Sequence, residues 1–284
     1  MRLTGILPIM LAALAAASCG RRGSQEVPPA LRARLLVDDI EEAIRAHDQR
    51  AIDDGMLKLN KLGTRGVATL GFLLDSPDPR VVEAGVELLS ARGRESALAA
   101  VVEDAVGALP PTHTAVGPGL NRLVRLGTLA VPYLAGLLTP DLPADSRSEL
   151  VSLAARYPSQ GSADVIEKGL LDQSPAVRAT AASALGALRP PNALERLRTL
   201  LKASTAEERA GAIAGLVSLE DPAAVADLLE VLKEPDQQIP PGENNPPIRV
   251  STLHDKAAEA IDVLTKMPFN GNISLIQEWL DEHR

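Results

Sequence analysis

Cys19, the only cysteine of the chain, is the residue whose type and position most clearly suggest chemistry. A thiolate is a nucleophile that can be modified covalently. Small residues precede it in Ala-Ala-Ser-Cys, from 16 to 19, and an apolar stretch comes before them. Since the chain offers no second cysteine for a disulfide, the position predicts that Cys19 is modified and serves as an anchoring point.

The residues before Cys19 have the layout of a secretory signal. Met1 and Arg2 form a short cationic start, and 6–17 is apolar but too short for a lasting membrane span. Residues 16–19 resemble the lipobox of bacterial lipoproteins, although Ala16 stands where that motif prefers Leu. The resemblance implies a lipoprotein signal peptide at 1–18, removed before Cys19, and a diacylated Cys19 at the new N-terminus.

The alternative is an ordinary cleaved signal in which the cysteine is incidental. Residues 19–29 are polar and rich in Gly and Pro, which predicts a flexible tether. Gly20 follows Cys19, and by resemblance to the sorting rule of two-membrane bacteria the lack of Asp there implies the outer membrane, with the chain facing the periplasm. The expected location is therefore the bacterial cell envelope, with lipid as the only membrane contact.

Other residues capable of chemistry are not spaced for it. No histidine has a His, Cys or Glu partner at the three-or-four spacing that places two metal ligands on one helical face; the four are His47, His113, His254 and His283. The acidic clusters at 38–42 and 53–54 have the pattern of the solvated side of a helix. No phosphate loop or hydrolase elbow is present. We therefore predict no catalytic residue, cofactor, metal or small-molecule substrate, and no enzymatic activity.

The composition favours a helical core. Apolar residues make up 45% of the chain but aromatic residues only 2%, so the core must consist of Leu, Ala and Val. The net charge is −8. An acidic chain without aromatic platforms is unsuited to binding nucleic acid or sugars.

The body of the chain repeats itself. Leu62-Gly63-Thr64 and the apolar residues after it recur at an offset of 64, beginning with Leu126-Gly127-Thr128. Apolar pairs that close a helix follow at steps of 33, 30 and 31; they are Leu137-Leu138, Leu170-Leu171, Leu200-Leu201 and Val231-Leu232. Two units fit within the longer offset, so the period is about 32 residues, as in stacked helical hairpins.

The repeat resembles the HEAT repeats. The likeness rests on a Leu-Leu-Asp followed by Pro and Arg: Leu73-Leu74-Asp75 with Pro79 and Arg80, and Leu170-Leu171-Asp172 with Pro175 and Arg178. It implies an all-α, right-handed α-solenoid of antiparallel helix pairs over 30–284, with a capping helix at about 29–47 and roughly seven repeats. The expected second helices are 65–74, 95–106, 129–138, 162–171, 191–202, 221–233 and 272–282.

In HEAT proteins the second helices line the concave side, so their polar residues would form any groove for a partner. The candidate partner-binding residues of these helices are Glu167, Lys168, Arg196, Arg198, Asp227 and Glu230. The alternative is that they only keep a helical surface soluble. Arg80, Arg178 and Arg209 recur at equivalent positions, which favours a structural role at helix ends or against a neighbouring unit.

One unit carries an insertion at 234–247, rich in Pro and polar residues, where a typical repeat has a short loop. Ile239 and Ile248 are the apolar residues that could anchor it and are candidates for partner contact. A functional loop and a tolerated insertion remain open alternatives.

Three functions compete at this level. A lipid-anchored interaction module that holds a protein or peptide partner agrees with the signal, the repeat and the absence of catalytic spacing. An enzyme or enzyme subunit is the alternative, because some HEAT-like proteins resemble lyases that attach bilins to proteins. Nucleic-acid binding comes third and would need a continuous Lys/Arg stripe.

Overall fold

The computed structural model describes residues 27–109, 117–240 and 251–283, and these residues form a stack of α-helices. The helices are α1 Pro29–Ala46, α2 Gln49–Lys61, α3 Gly63–Ala68, α4 Pro79–Ser90, α5 Glu95–Gly107, α6 Pro118–Leu126, α7 Val131–Leu137, α8 Ala144–Arg156, α9 Ser162–Leu170, α10 Pro175–Leu188, α11 Ala193–Leu200, α12 Ala206–Leu219, α13 Val225–Lys233, α14 Leu253–Thr265 and α15 Ile273–Glu282. Short 3-10 segments extend this set at Thr69–Asp75, Gly127–Leu129 and Pro222–Ala224. Cys19, the predicted signal peptide and most of the predicted tether lie outside the described residues.

The helices begin where the sequence places N-cap residues before prolines. Asp78 accepts a hydrogen bond from the backbone N–H of Arg80 at 3.0 Å, and Asp221 accepts one from Ala223 at 2.9 Å. Ser174 occupies the same position before α10, but its hydroxyl makes no capping bond. Side-chain acceptors at these positions satisfy amide groups that a first helical turn leaves free.

Seven helix pairs follow α1, from α2 with α3 to α14 with α15, and neighbouring helices pack consecutively. The predicted all-α solenoid is thereby confirmed. The helix predicted at about 29–47 is α1, which packs on α2 and on α4, the first helix of the second pair. The buried residues of α2 are Gly55, Met56 and Leu59, and Gly55 contacts Ile40 of α1.

The core is a single aliphatic cluster, in agreement with the composition. The largest fully buried side chains are Ile40, Leu59, Leu70, Leu73, Leu74, Leu89, Leu123, Leu134, Leu150, Leu153, Ile166 and Leu185. Each pair leaves an apolar face that only its neighbours cover, so stability depends on contacts between adjacent pairs.

The closest helix contact joins α10 and α12, which are the first helices of consecutive pairs. A Cβ atom built on Gly186 would lie 2.0 Å from the carbonyl oxygen of Gly215, and one on Gly211 would lie 2.2 Å from that of Ala179. Such contacts are possible only for glycine, because any side chain would overlap the facing backbone. The two helices therefore pack backbone to backbone.

Among the described helices, none combines the length and the apolar character that a membrane span requires.

Candidate interaction surface

Four of the six predicted partner-binding residues of the second helices form ion pairs between neighbouring repeats. Arg196 of α11 donates two hydrogen bonds to Glu167 of α9, at 2.5 and 2.7 Å. Arg198 of α11 donates to Asp227 of α13 at 2.7 Å. The two pairs connect three consecutive second helices, and we call this set, with Lys168 and Glu230, the charge strip.

Lys168 and Glu230 extend the strip at its two ends. Lys168 Nζ donates to the backbone oxygen of Ala135, which belongs to α7, at 2.8 Å. Glu230 accepts from Lys233 at 2.8 Å within α13. Three cationic and three anionic side chains thus share the surface of α9, α11 and α13.

The pairs of the charge strip remain accessible. Side-chain exposures are 29% and 52% for Arg196 and Glu167, and 41% and 29% for Arg198 and Asp227. Exposed ion pairs of this kind contribute at most about 1 kcal/mol to stability. A partner could therefore exchange its own charges with them at little cost to the fold.

The two layers of helices are connected in different ways over 175–233. The first helices α10 and α12 approach backbone to backbone, whereas the second helices α11 and α13 are joined through the long side chain of Arg198. That the second helices line the concave side of the stack stays a prediction.

A second series of ion pairs is made by arginines at the starts of first helices, and these arginines are more buried than those of the charge strip. Arg147 of α8 donates two hydrogen bonds to Asp172, both at 2.7 Å, and their side chains are only 4% and 8% exposed. Arg178 of α10 donates to Glu208 of α12 at 2.7 Å, and Arg209 donates to Glu234 at 2.5 Å. We call these three pairs the arginine ladder.

The arginine ladder confirms the structural role predicted for two of the repeated arginines. Arg178 also donates to the backbone oxygens of Asp172 and Gln173, at 2.6 and 3.0 Å. It thereby supplies hydrogen bonds to two carbonyl groups at the end of the preceding repeat. Arg80 behaves differently, because it pairs with Asp78 at the start of its own helix. Sequence reasoning missed Arg147, although an arginine soon after Pro143 repeats the pattern of Pro175 and Arg178.

Two carboxylates of the ladder, Asp172 and Glu208, have a lowered pKa. Burial alone would raise the pKa of Asp172, but hydrogen bonds from Arg147 and from the backbone N–H of Ser174, with the charges of Arg147 and Arg178, outweigh it and lower the pKa below its ordinary value. The hydrogen bond from Arg178 is the main cause that lowers the pKa of Glu208; burial opposes it. These groups hold structure and have no proton to donate near neutral pH.

The base of the insertion is fastened to the stack. The backbone N–H of Ile239 donates to Ser251 and that of Leu253 donates to Gln237, each at 2.9 Å, around a single antiparallel bridge. Ile239 is partly buried against the core, as an anchor should be. Residues 241–250, and with them Ile248, lie outside the described residues.

Two of the four histidines have structural contacts. His254 Nε2 lies 2.9 Å from the backbone oxygen of Glu234, and the ring of His283 stacks on Trp279 with 4.3 Å between centroids. His113 falls in the segment that is not described. Within the described ranges, no group of three or more His, Cys, Asp or Glu side chains could hold a metal ion.

Comparison with protein families agrees with this geometry. The family model described as HEAT repeats matches residues 131–217 and 163–239. No curated protein matches the sequence. The matched residues include α8 to α13, which carry both the charge strip and the arginine ladder. The described part of the chain is an all-helical solenoid, and its residues 131–239 are similar to HEAT repeats.

Proposed function

We propose that the chain is a lipid-anchored extracytoplasmic scaffold of a bacterial cell envelope, which binds a protein partner on the surface of its solenoid. The observation that carries the proposal is the continuous stack of HEAT-like helix pairs, whose polar surface residues are joined across repeats. Repeat solenoids use such extended surfaces for binding. The lipobox resemblance at 16–19 supports attachment through Cys19, and the outer membrane is the proposed site.

The charge strip supports a protein partner over a nucleic acid. Its side chains are of mixed sign, with one carboxylate and one lysine on α9, two arginines on α11 and two carboxylates on α13. A partner with complementary charges could take the place of Glu167 opposite Arg196. A nucleic acid would require cations in series, without carboxylates between them. Electrostatic complementarity of this kind sets the specificity and association rate of protein complexes.

The enzyme alternative, including a lyase-like subunit, has less support. Asp172 and Glu208, the ladder carboxylates with a lowered pKa, accept hydrogen bonds from Arg147 and Arg178. A catalytic acid or base needs a pKa near the working pH and access to a substrate. We therefore propose a binding function without catalysis.

Co-purification from membranes tests the scaffold proposal. In the double variant Glu167→Arg/Arg196→Glu the ion pair is kept but its direction is reversed, so the fold is retained while the surface charges are exchanged. We expect wild type to retain a protein in constant ratio to the chain, and the double variant to retain about tenfold less of it. Quantitative mass spectrometry of detergent-solubilised material measures both amounts.

The matched control is Asp54→Lys/Lys58→Asp, which reverses an exposed pair on α2 and should leave the ratio unchanged. Absence of any protein in constant ratio to wild type would contradict the scaffold proposal. Equal retention by all three chains would place the partner away from the charge strip.

A further inference from the structure

Exposed cations without partners are concentrated on one side of the first two helix pairs. Lys61 ends α2, Arg65 lies near the start of α3, and Arg92 lies in the turn between α4 and α5. All three side chains are exposed, and within the described residues none of them makes a hydrogen bond or an ion pair. Glu95, the carboxylate that follows this turn, accepts a hydrogen bond from the backbone N–H of Gly93 at 3.2 Å. We call the three cations the cation edge.

The two turns that carry the cation edge are neighbours in the stack. The helices α3 and α5 pack on each other, and each begins directly after its turn. A Cβ atom built on Gly71, in the 3-10 segment that continues α3, would lie 3.0 Å from Cγ1 of Val101 in α5. Second helices of consecutive pairs run in the same direction, so the starts of α3 and α5 lie on the same side.

The first helix of the stack also begins on this side. A short turn joins α1 to α2, and the two helices pack on each other with Gly55 of α2 against Ile40 of α1. The pair is antiparallel, so the start of α1 lies beside Lys61 at the end of α2. Arg32, in the first turn of α1, adds an exposed cation that donates to the backbone oxygen of Val27 at 3.4 Å.

Helix capping explains only part of this arrangement. Lys61 is in the last turn of α2, where a cation stabilises the negative end of the helix dipole. Arg65 is the third residue of α3, which continues into the segment Thr69–Asp75, and a cation near the start of a helix is unfavourable. Arg92 lies outside both neighbouring helices. The dipole of a helix therefore does not account for the two arginines.

The opposite ends of the same helices have a different charge balance. Arg80, at the start of α4, pairs with Asp78 at 3.0 Å. Arg50, at the start of α2, lies between Asp48 and Asp53 in the sequence. Carboxylates accompany the cations there, so the unbalanced positive charge belongs to the side where α1 begins.

We propose that the cation edge binds the anionic headgroups of the membrane to which Cys19 anchors the chain. The segment 20–28 connects Cys19 to α1, and a chain of that length spans at most about 35 Å. The side of the stack where α1 begins therefore stays close to the lipid. The proposal rests on the proposed anchoring and adds a contact by the protein itself to the lipid, which the sequence alone predicts as the only one.

Charge and proximity both favour this occupant. A cation beside an anionic lipid surface increases the ratio of docked to undocked chain about fivefold. An acidic protein would meet the same side chains, but only the membrane is held beside them by the chain. Contacts that are weak one by one become sufficient when a tether keeps the two surfaces together.

Acetylation of Lys61 on vesicles tests the proposal. Because Cys19 is the only cysteine, its thiol can be coupled to a maleimide-bearing lipid, which anchors the unlipidated full chain to vesicles of chosen composition. We expect acetic anhydride to modify Lys61 about fivefold more slowly on vesicles of phosphatidylcholine and phosphatidylglycerol than on phosphatidylcholine alone. Lys202, which is exposed and follows the end of α11 on the opposite side, should react equally on both. Peptide mass spectrometry measures both rates.

The double variant Arg65→Gln/Arg92→Gln should restore the rate of Lys61, since the loss of two cations lowers the ratio of docked to undocked chain by about tenfold or more. Both side chains are exposed, so the variant should fold. The matched control is Arg50→Gln/Arg80→Gln, which makes the same change in charge at the opposite ends of α2 and α4 and should leave Lys61 protected.

Equal rates for Lys61 on the two kinds of vesicle would overturn the proposal. Protection that persists in Arg65→Gln/Arg92→Gln would also overturn it, because the tether alone would then bring Lys61 to the lipid. Coupling through maleimide takes the place of the cellular lipid, so these results do not depend on diacylation of Cys19. The anchoring proposal and the cation edge therefore fail separately.

Discussion

Gly186→Ala is expected to destabilise the chain by about 3 kcal/mol, because overpacking a close helix contact costs this much when the neighbour cannot move aside. The new Cβ would stand 2.0 Å from the carbonyl oxygen of Gly215 and 2.5 Å from its Cα. Those atoms are backbone, and no side-chain rotation can remove them. The helices α10 and α12 would have to separate, and apolar contacts along both would be lost.

Urea denaturation followed by far-UV circular dichroism measures this effect. Gly136→Ala is the control, since Gly136 is exposed in α7 and no heavy atom lies within 4 Å of the added Cβ. There the better helix propensity of Ala should leave stability unchanged or raise it by up to about 1 kcal/mol. Equal denaturation midpoints for the two variants would mean that α10 and α12 do not approach so closely.

Arg147→Ala is expected to destabilise the chain by about 3 to 5 kcal/mol, because it leaves the carboxylate of Asp172 buried without its partner. The guanidinium of Arg147 also donates to the backbone oxygen of Leu142, in the loop before α8, and the variant would lose this hydrogen bond as well. Lys233→Ala, which breaks the exposed pair with Glu230, should cost less than about 1 kcal/mol. Chemical denaturation of the three chains near neutral pH gives the comparison.

We expect the stability of wild type and that of Arg147→Ala to depend differently on pH. The pKa of Asp172 is lower in the folded chain than in the unfolded chain, so its contribution is complete above the unfolded value of about 4 and is lost as the pH falls through the folded value. The difference in the free energy of unfolding between wild type and Arg147→Ala should therefore become smaller below about pH 4. If this free-energy difference stays constant down to the lowest measurable pH, the ion pair is not its source.

Local patterns were sufficient to predict the helices but not their spacing. Apolar rhythm placed the second helices, with their adjoining 3-10 segments, within about two residues of where they lie, for example 162–171 against Ser162–Leu170. The close approach of Gly186 to Gly215 was not predictable, because it depends on which faces of two separate helices meet.

The surface residues show a similar division. The helical period places the six candidate positions on second helices, and they lie on α9, α11 and α13. Their role in binding a partner stays a prediction. Their pairing across repeats, such as Arg196 with Glu167, depends on the spacing between helices.

The central claim, that the helical stack is held at a membrane through Cys19, is tested most directly by intact-mass spectrometry of the chain extracted from bacterial membranes. The account predicts a mass equal to residues 19–284 with a diacylglycerol thioether on Cys19, and a Cys19→Ala chain that leaves the membrane fraction. An unmodified Cys19, or membrane association that persists in Cys19→Ala, would contradict it.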